Sequence, residues 1–182
     1  MSEYELYNRL KSACQGDWDA YTRHRFVLEL GNGTLPEFSF RYYLQQDYLF
    51  LIHFARAYAL AAFKAEGLEE LRAAAGAVSA IVDTEMSLHV AFCERWGISE
   101  GEMAGMPEDP ANMAYTRYVL ERGLSGDSLD LAVALAPCVV GYAEIGAWLA
   151  KNATAKGDDN PYWEWIDTYA ANDYQEVAWA HA

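Results

Sequence analysis

The segment Leu131–Trp148, with the sequence LAVALAPCVVGYAEIGAW, is the most apolar part of the chain. If it is a helix, residues four apart lie on one face, so Cys138 and Tyr142 are expected to project into the same space. Pro137 lacks an amide hydrogen and is expected to kink the helix beside the thiol, which would open a pocket in a helical core. A lone buried cysteine is commonly an inert part of a core. The segment alone therefore leaves both a structural and a nucleophilic Cys138 open.

Composition and charge narrow the class of protein. The 182 residues are rich in Ala, Leu, Glu and Tyr, and no stretch alternates Val, Ile and Thr, which favours one all-α domain over residues 1–182. The formal net charge of −14 argues against a nucleic-acid partner, because phosphate backbones bind basic surfaces.

The scattered residues Cys14, Cys93 and Cys138 predict no disulfide framework and suit a reducing compartment. The longest uncharged run, Leu131–Ala143, is shorter than the ~20 residues of a membrane span, so we expect a cytoplasmic protein without a membrane partner.

Start and stop signals divide the chain into helices. The sequence Thr34-Leu35-Pro36-Glu37 marks the start of a long helix that is expected to reach about Ala65. A second helix is expected from about Leu68 to Trp96. Asp109-Pro110 opens another, which Gly123 is expected to end. The pattern predicts a multi-helical protein.

The long helix carries an acid on an apolar face. Asp47, Phe50, Leu51 and Phe54 share that face at spacings of three, four and seven residues. An acid in such surroundings is costly to bury without a partner. Asp47 is therefore either a functional residue or a hydrogen-bonded structural one, and the spacing alone leaves both interpretations open.

The following helix carries an acid and a histidine four residues apart, Glu85 and His89. A helical di-iron centre requires Glu-x-x-His on each of two helices and two further glutamates. The chain does not contain this pattern. We interpret Glu85 and His89 as a side-chain pair on a helix face, and we expect no metal and no other cofactor.

Several motifs resemble the TenA/thiaminase II family. They are Thr34-Leu35-Pro36, Phe40, Tyr42 to Tyr48, Phe54-Ala55-Arg56, Ala114-Tyr115-Thr116, Leu135-Ala136-Pro137-Cys138 with Tyr142, and Trp165 to Tyr169. They occur in the family's order and cover essentially the whole chain. The resemblance implies an all-α, heme-oxygenase-like bundle that binds no heme and assembles as a homotetramer. It further implies hydrolysis at the exocyclic methylene of 4-amino-2-methylpyrimidines in thiamin salvage, either aminomethylpyrimidine deamination or cleavage of thiamin itself.

The resemblance also implies roles for individual residues. Cys138 matches the family nucleophile, which adds to the pyrimidine ring and lets the leaving group depart. Asp47 matches the acid that hydrogen-bonds the amidine edge of the ring. The positions that match tyrosines walling the site or bonding the ring are Tyr115, Tyr142 and Tyr169. A flat heteroaromatic ring is well held by aromatic walls with a few fixed polar groups, which agrees with this assignment.

The chain departs from the family pattern in two ways. Phe50 stands where many members carry a tyrosine whose hydroxyl lies near the thiol, so Phe50 is expected in the substrate site and activation of Cys138 is expected to be either weaker or differently arranged. The family also continues past the position of Ala182 into a helix whose glutamate is the general acid and base, so we expect the domain to be truncated at its C-terminal end. A non-catalytic pyrimidine- or thiamin-binding protein on the same scaffold stays open as an alternative. A ring oxidase sharing the fold is disfavoured because its metal-ligand set is missing.

Overall fold

The computed structural model describes residues 4–181, and every regular element among them is a helix, which confirms the all-α prediction. The α-helices are α1 (Glu5–Ala13), α2 (Gln15–Thr22), α3 (Arg25–Gly31), α4 (Glu37–Lys64), α5 (Leu68–Ser79), α6 (Met86–Arg95), α7 (Glu100–Gly105), α8 (Pro110–Ser125), α9 (Ser128–Asn152), α10 (Trp163–Ala170) and α11 (Asn172–Ala180). A π-helical segment, Ala80–Glu85, joins α5 to α6, and a 3-10 turn, Gly157–Asp159, precedes α10.

The helices belong to two compact units. The first unit comprises Met1–Leu35 and Leu135–Ala182, and the second comprises Pro36–Ala134. Helix α9 begins in the second unit, belongs to the first unit from Leu135 onwards, and continues past Pro137 as a helix.

The second unit is organised around α4, which is 28 residues long and begins at Glu37, as the sequence signal predicts. The Phe40 ring is fully buried and packs on the rings of Trp96, 4.8 Å away, and Phe92, 6.2 Å away. Further along α4, the buried Gln46 side chain donates to the Pro107 carbonyl at 3.0 Å and accepts from the Asp109 amide at 2.8 Å. These bonds fasten the loop before α8 to α4.

Helix α8 passes through Gly123 and ends at Ser125, so the prediction that Gly123 ends the helix is wrong. A Cβ atom at Gly123 would lie 2.9 Å from the Leu60 Cδ1 atom and 3.2 Å from the Leu131 Cδ1 atom. The missing side chain therefore serves close packing between helices, and the local sequence does not distinguish this use of glycine from a helix stop.

In the first unit, a partly buried carboxylate ties the N-terminal helices to α9. Glu144, 16% exposed in its side chain, accepts hydrogen bonds from the Tyr7 hydroxyl at 2.8 Å, the Lys11 ammonium at 2.6 Å and the Trp18 indole at 2.9 Å. Burial alone would raise the pKa of Glu144, but the bonds from these three donors lower it below its usual value. Glu144 is therefore an ionised structural acid whose oxygens are fully engaged.

Helix α9 is 25 residues long, and an 18-residue window in it has a mean hydropathy of 1.6, so by length and composition it could cross a membrane. Half of that window is buried inside the protein, and a core helix has the same properties. The apolar part of this helix is longer than the uncharged run Leu131–Ala143. The run ends at Glu144, but this acid is paired with Lys11.

Candidate functional site

The second unit places Asp47 against a histidine from another helix. The side chains of Asp47 on α4 and His89 on α6 are 13% and 10% exposed, and Oδ2 of the acid lies 3.5 Å from Nδ1 of the imidazole. The Tyr43 hydroxyl, one turn earlier on α4, donates a hydrogen bond to the same carboxyl group. Burial raises the pKa of Asp47, and the nearby His89 and the Tyr43 bond only partly oppose this increase. Asp47 is thus a largely buried acid with two partners.

The other ring nitrogen of His89 also has partners. Nε2 lies 2.9 Å from the carbonyl oxygen of Leu44 on α4 and 3.4 Å from the sulfur of Cys93, one turn later on α6. Burial first, and then the charge of Asp47, raises the pKa of the Cys93 thiol to about 12. Cys93 is therefore a protonated core thiol at neutral pH and not a nucleophile. His89 therefore bridges α6 to α4, whereas its four-residue spacing in the sequence suggested a pair with Glu85.

Glu85 is the last residue of the π-helical segment, in which the Met86 amide bonds the Ile81 carbonyl five residues back. Burial first, and then the charge of Asp47, raises the pKa of Glu85 to about 7. The residue as a whole is exposed, and solvent screens its interaction with other charges. Glu85 adds negative potential near Asp47 and thereby favours a proton in this cluster.

An aromatic surface lies on the same unit. The rings of Phe50 and Tyr115 are stacked at 6.2 Å and 14° between their planes, and Phe50 also stacks on Phe54 at 5.3 Å and 26°. The Tyr115 hydroxyl donates to the Ala134 carbonyl at 3.0 Å, which fixes the orientation of its ring. Two of the predicted substrate-binding residues, Phe50 and Tyr115, are therefore brought together as a flat, partly buried surface.

In the first unit, the partly buried Cys138 lies beside Tyr21 of α2. The Cys138 thiol donates to the Leu135 carbonyl at 3.0 Å, and the Tyr21 hydroxyl donates to the Pro137 carbonyl at 2.9 Å. Burial first, and then the neighbouring Cys138, raises the pKa of Tyr21 above its usual range. Tyr21 therefore keeps its proton and remains a hydrogen-bond donor beside the thiol.

The close approach of Tyr21 depends on a glycine. A Cβ atom at Gly141, three residues after Cys138, would lie 2.7 Å from the Tyr21 ring. No sequence pattern singles out Tyr21, since it lies on a short helix with no pattern of its own. The available signal was Gly141 itself, because a glycine inside a long apolar helix often marks close packing.

A second aromatic cluster surrounds the helix turn after Cys138. The ring of Tyr142 lies 5.0 Å from Tyr169 and 5.9 Å from Trp165, and the ring of Tyr174 lies 4.9 Å from Tyr169. The Tyr174 hydroxyl also donates to the Val139 carbonyl on α9 at 3.3 Å. The predicted substrate-binding residues Tyr142 and Tyr169 are thus direct neighbours.

The backbone at the end of α10 touches α9 directly at Gly146. A Cβ atom there would lie 2.5 Å from the carbonyl carbon of Tyr169 and 2.6 Å from its oxygen. The Gln175 amide joins the same region by donating to the carbonyls of Ala143 at 2.9 Å and Tyr169 at 2.7 Å. The position of Tyr169 therefore depends on the absence of a side chain at residue 146.

We expect Gly146→Ala to lower the free energy of unfolding by about 1–3 kcal/mol, because an added methyl group would collide with backbone that cannot rotate away. Gly76→Ala is the matched control, since a Cβ at this α5 position has open space around it and alanine is the better helix former. Urea unfolding followed by circular dichroism measures both. A Gly146→Ala variant as stable as the Gly76→Ala variant would mean that α9 and α10 do not approach this closely.

Comparison with known proteins gives a consistent assignment. A model of the TENA/THI-4/PQQC family matches residues 12–180. The chain belongs to this family. The resemblance found in the sequence motifs is thereby confirmed.

Individual relatives in the TENA/THI-4/PQQC family match over most of the chain. The crystal structure of a TenA family transcription regulator from Silicibacter is 49% identical, with a TM-score of 0.92, and the match covers 100% of this chain and 80% of that one. An uncharacterized protein of Haemophilus influenzae is 39% identical over 173 residues, 95% of this chain and 80% of that protein. An aminopyrimidine aminohydrolase of Halalkalibacterium halodurans is 36% identical over 169 residues, 93% of this chain and 75% of that enzyme.

In this TENA/THI-4/PQQC family member, the six positions to which the resemblance assigns roles are divided between the units. The second unit holds Asp47, Phe50 and Tyr115, and the first unit holds Cys138, Tyr142 and Tyr169. Within each unit the aromatic residues of the set contact one another. Three further residues lie next to this set although no role in the site was predicted for them: Tyr21, Tyr43 and His89.

Proposed function

We propose that the chain hydrolyses 4-amino-2-methylpyrimidines at their exocyclic methylene, as part of thiamin salvage. Family membership, together with a relative named aminopyrimidine aminohydrolase that aligns with 93% of this chain, carries the proposal. The reaction replaces the amine of an aminomethyl group by the hydroxyl of water and releases ammonia. Thiamin would be cleaved by the same chemistry, with its thiazole as the leaving group.

Cys138 is the proposed nucleophile. Its thiolate forms a bond to a ring carbon, and the ring electrons then expel the amine, which takes up a proton. Water adds to the resulting methylene, and the sulfur departs as the ring becomes aromatic again. Among the cysteines, Cys14 is exposed and Cys93 is fully buried with a raised pKa, whereas Cys138 is partly buried beside a hydrogen-bond donor, Tyr21.

Asp47 is the proposed recognition residue for the pyrimidine. The amidine edge of an aminopyrimidine presents an N–H donor beside a ring nitrogen, and a carboxyl group offers complementary positions. Burial strengthens such a bond because water does not compete for it. The stacked pair Phe50 and Tyr115 and the contacting pair Tyr142 and Tyr169 are the proposed aromatic contacts of the ring.

The departing amine requires a proton, and we propose that Glu144 does not supply it. Its oxygens already accept bonds from Tyr7, Lys11 and Trp18, so a proton on Glu144 would break an established network. The proton for the departing amine therefore comes from another group.

The proposal is tested by incubating the protein with 4-amino-5-aminomethyl-2-methylpyrimidine and with thiamin, while ammonia, the thiazole and the hydroxymethylpyrimidine product are measured. Hydrolysis of either compound supports the proposal. Binding of the pyrimidine in calorimetry without any product would favour the non-catalytic alternative. If the protein neither binds the pyrimidine nor forms product, both the hydrolase and the non-catalytic hypotheses are refuted.

We further propose that the chain works as a cytoplasmic homotetramer, as the resemblance implies. Several large apolar side chains of the second unit are exposed, among them Phe63 at 85% and Leu124 at 70%, and assembly is a common reason for such exposure. Light scattering should give a mass of about four times the 20.4 kDa of the chain. A mass of one chain at micromolar concentration would contradict this proposal.

A further inference from the structure

The helical turn that carries Cys138 is weakened by two residues of its own sequence. Pro137 has no amide hydrogen, so it cannot donate to the Val133 carbonyl four residues earlier, as another residue in a helix would. Gly141, three residues after Cys138, is a poor helix former because its backbone loses the most freedom on folding. The turn nevertheless stays helical, since α9 continues to Asn152. Its order therefore depends strongly on contacts with other helices.

Two tyrosines from other helices donate hydrogen bonds to the carbonyls on either side of Cys138. The Tyr21 hydroxyl on α2 donates to the Pro137 carbonyl at 2.9 Å. The Tyr174 hydroxyl on α11 donates to the Val139 carbonyl at 3.3 Å. The two bonds span 116 and 35 positions of the sequence. The backbone on both sides of the thiol is thus bound to two separate helices of the first unit.

The position of Tyr21 is fixed by the glycine that weakens the helix. A Cβ atom at Gly141 would lie 2.7 Å from the Tyr21 Cε1 atom and 3.0 Å from its hydroxyl oxygen, so the ring occupies the space of the missing side chain. Burial raises the pKa of Tyr21 above its usual range, and the hydroxyl therefore remains a hydrogen-bond donor. The residue that costs the helix local order admits the tyrosine that binds its backbone.

The position of Tyr174 is fixed by its neighbours. Its ring meets the Tyr169 ring edge-on, with 4.9 Å between the centroids and 84° between the planes. The next residue, Gln175, donates to the Ala143 carbonyl at 2.9 Å, one turn after Val139 on α9. Two successive residues of α11 thus bond two successive turns of α9, and this holds the Tyr174 hydroxyl against the Val139 carbonyl.

The sulfur of Cys138 follows the backbone of this turn closely. A cysteine side chain is short, and the thiol is bonded to the Leu135 carbonyl of the preceding turn at 3.0 Å. A displacement of the turn therefore displaces the sulfur by a similar distance. Such displacements matter in catalysis, because a misplacement of about 1 Å can lower a reaction rate by ~100-fold.

We propose that Tyr21 and Tyr174 are positioning residues for Cys138, which bind the Pro137 and Val139 carbonyls and thereby fix the place of the sulfur. This inference rests on the proposed function for the nucleophilic role of the thiol. The two hydroxyls act on the backbone alone and take part in no covalent or proton-transfer step.

The variants Tyr21→Phe and Tyr174→Phe test the inference, because each removes one hydroxyl and keeps the ring. Tyr162→Phe is the matched control. The buried Tyr162 belongs to the same unit and also donates its hydroxyl to a backbone carbonyl, that of Leu35, which is not part of α9. All three variants lose the same chemical group, but only the first two lose one of the bonds that flank Cys138.

The first measurement needs no ligand. Hydrogen exchange of the backbone amides of residues 138–143 is followed by NMR. One hydrogen bond of ordinary net strength corresponds to about a two- to tenfold change in local opening, so exchange is expected to be faster by this factor. The increase should be larger in Tyr21→Phe, whose bond is shorter, and absent in Tyr162→Phe. Unchanged exchange in both test variants, or an equal increase in the control, would overturn the inference.

The second measurement is steady-state hydrolysis of 4-amino-5-aminomethyl-2-methylpyrimidine at equal folded fraction, checked by circular dichroism. We expect kcat to fall about tenfold in Tyr21→Phe and by a smaller factor in Tyr174→Phe, while KM stays within about twofold, because a displaced sulfur reacts poorly without loss of ligand contacts. Tyr162→Phe should change neither constant.

A purely structural tyrosine would leave kcat per folded molecule unchanged, and that result in both test variants would overturn the inference. If the unmodified protein forms no product, the proposed function fails, while hydrogen exchange still decides whether the two tyrosines hold the turn that carries Cys138.

Discussion

Cys138→Ser is expected to lower the turnover of aminopyrimidine by a factor on the order of 10³ or more, while the protein remains folded and still binds its ligand. A serine hydroxyl ionises far less readily than a thiol, so it is a much weaker nucleophile at neutral pH. The hydroxyl can still donate to the Leu135 carbonyl, as the thiol does at 3.0 Å, and the change in volume is small. The local helix should therefore tolerate the substitution.

The matched control for this experiment is Cys14→Ser. The Cys14 thiol also bonds the carbonyl of the preceding helical turn, that of Leu10 at 3.3 Å, but the residue is exposed. Single-turnover rates, thermal unfolding and calorimetric affinity are measured for both variants. Full activity in Cys138→Ser would exclude a nucleophilic role. Loss of activity together with loss of the folded state would assign Cys138 to the core instead.

Asp47→Asn is expected to weaken aminopyrimidine binding by about 10- to 100-fold, because a hydrogen bond to a charged group contributes roughly 1.5–3 kcal/mol. The stability of the protein is expected to respond in the opposite direction. Burial raises the folded-state pKa of Asp47 above the value for an unfolded chain. The folded state then binds more protons than the unfolded state once the unfolded carboxyl ionises, so the contribution of Asp47 to stability falls as pH rises through the folded pKa.

Asparagine cannot ionise, so Asp47→Asn should remove this fall in stability. The variant is expected to unfold at the same temperature as the unmodified protein or higher, and its relative stability should increase with pH. Asp83→Asn, at an exposed position of the π-helical segment, is the control for both binding and melting. A variant that binds normally but melts several degrees lower would show that Asp47 has a structural role and no role in recognition.

Local sequence patterns predicted the helices well where the signals act within one turn. The start of α4 is marked by Pro36, which occupies the N-cap position with φ −58° and ψ 131° and so lies just before the first helical turn, one place outside the turn in which the sequence signal put it. The same reasoning failed at Gly123, since the packing of this residue against Leu60 and Leu131 involves residues far away along the chain. A glycine that ends a helix and a glycine that allows two helices to approach have the same local appearance.

The sequence by itself determined the all-α class, the family, and Asp47 and Cys138 as candidate residues, because periodicity and motifs depend on neighbours along the chain. Only the tertiary structure decided which groups these residues contact. The bond from Tyr21 to Pro137 spans 116 positions, and the bond from His89 to Leu44 spans 45. Such contacts arise when separate helices pack and bring donors to acceptors, and burial then alters the pKa of each group. The raised pKa of Asp47 is therefore a property of the folded unit, and no local pattern in the sequence encodes it.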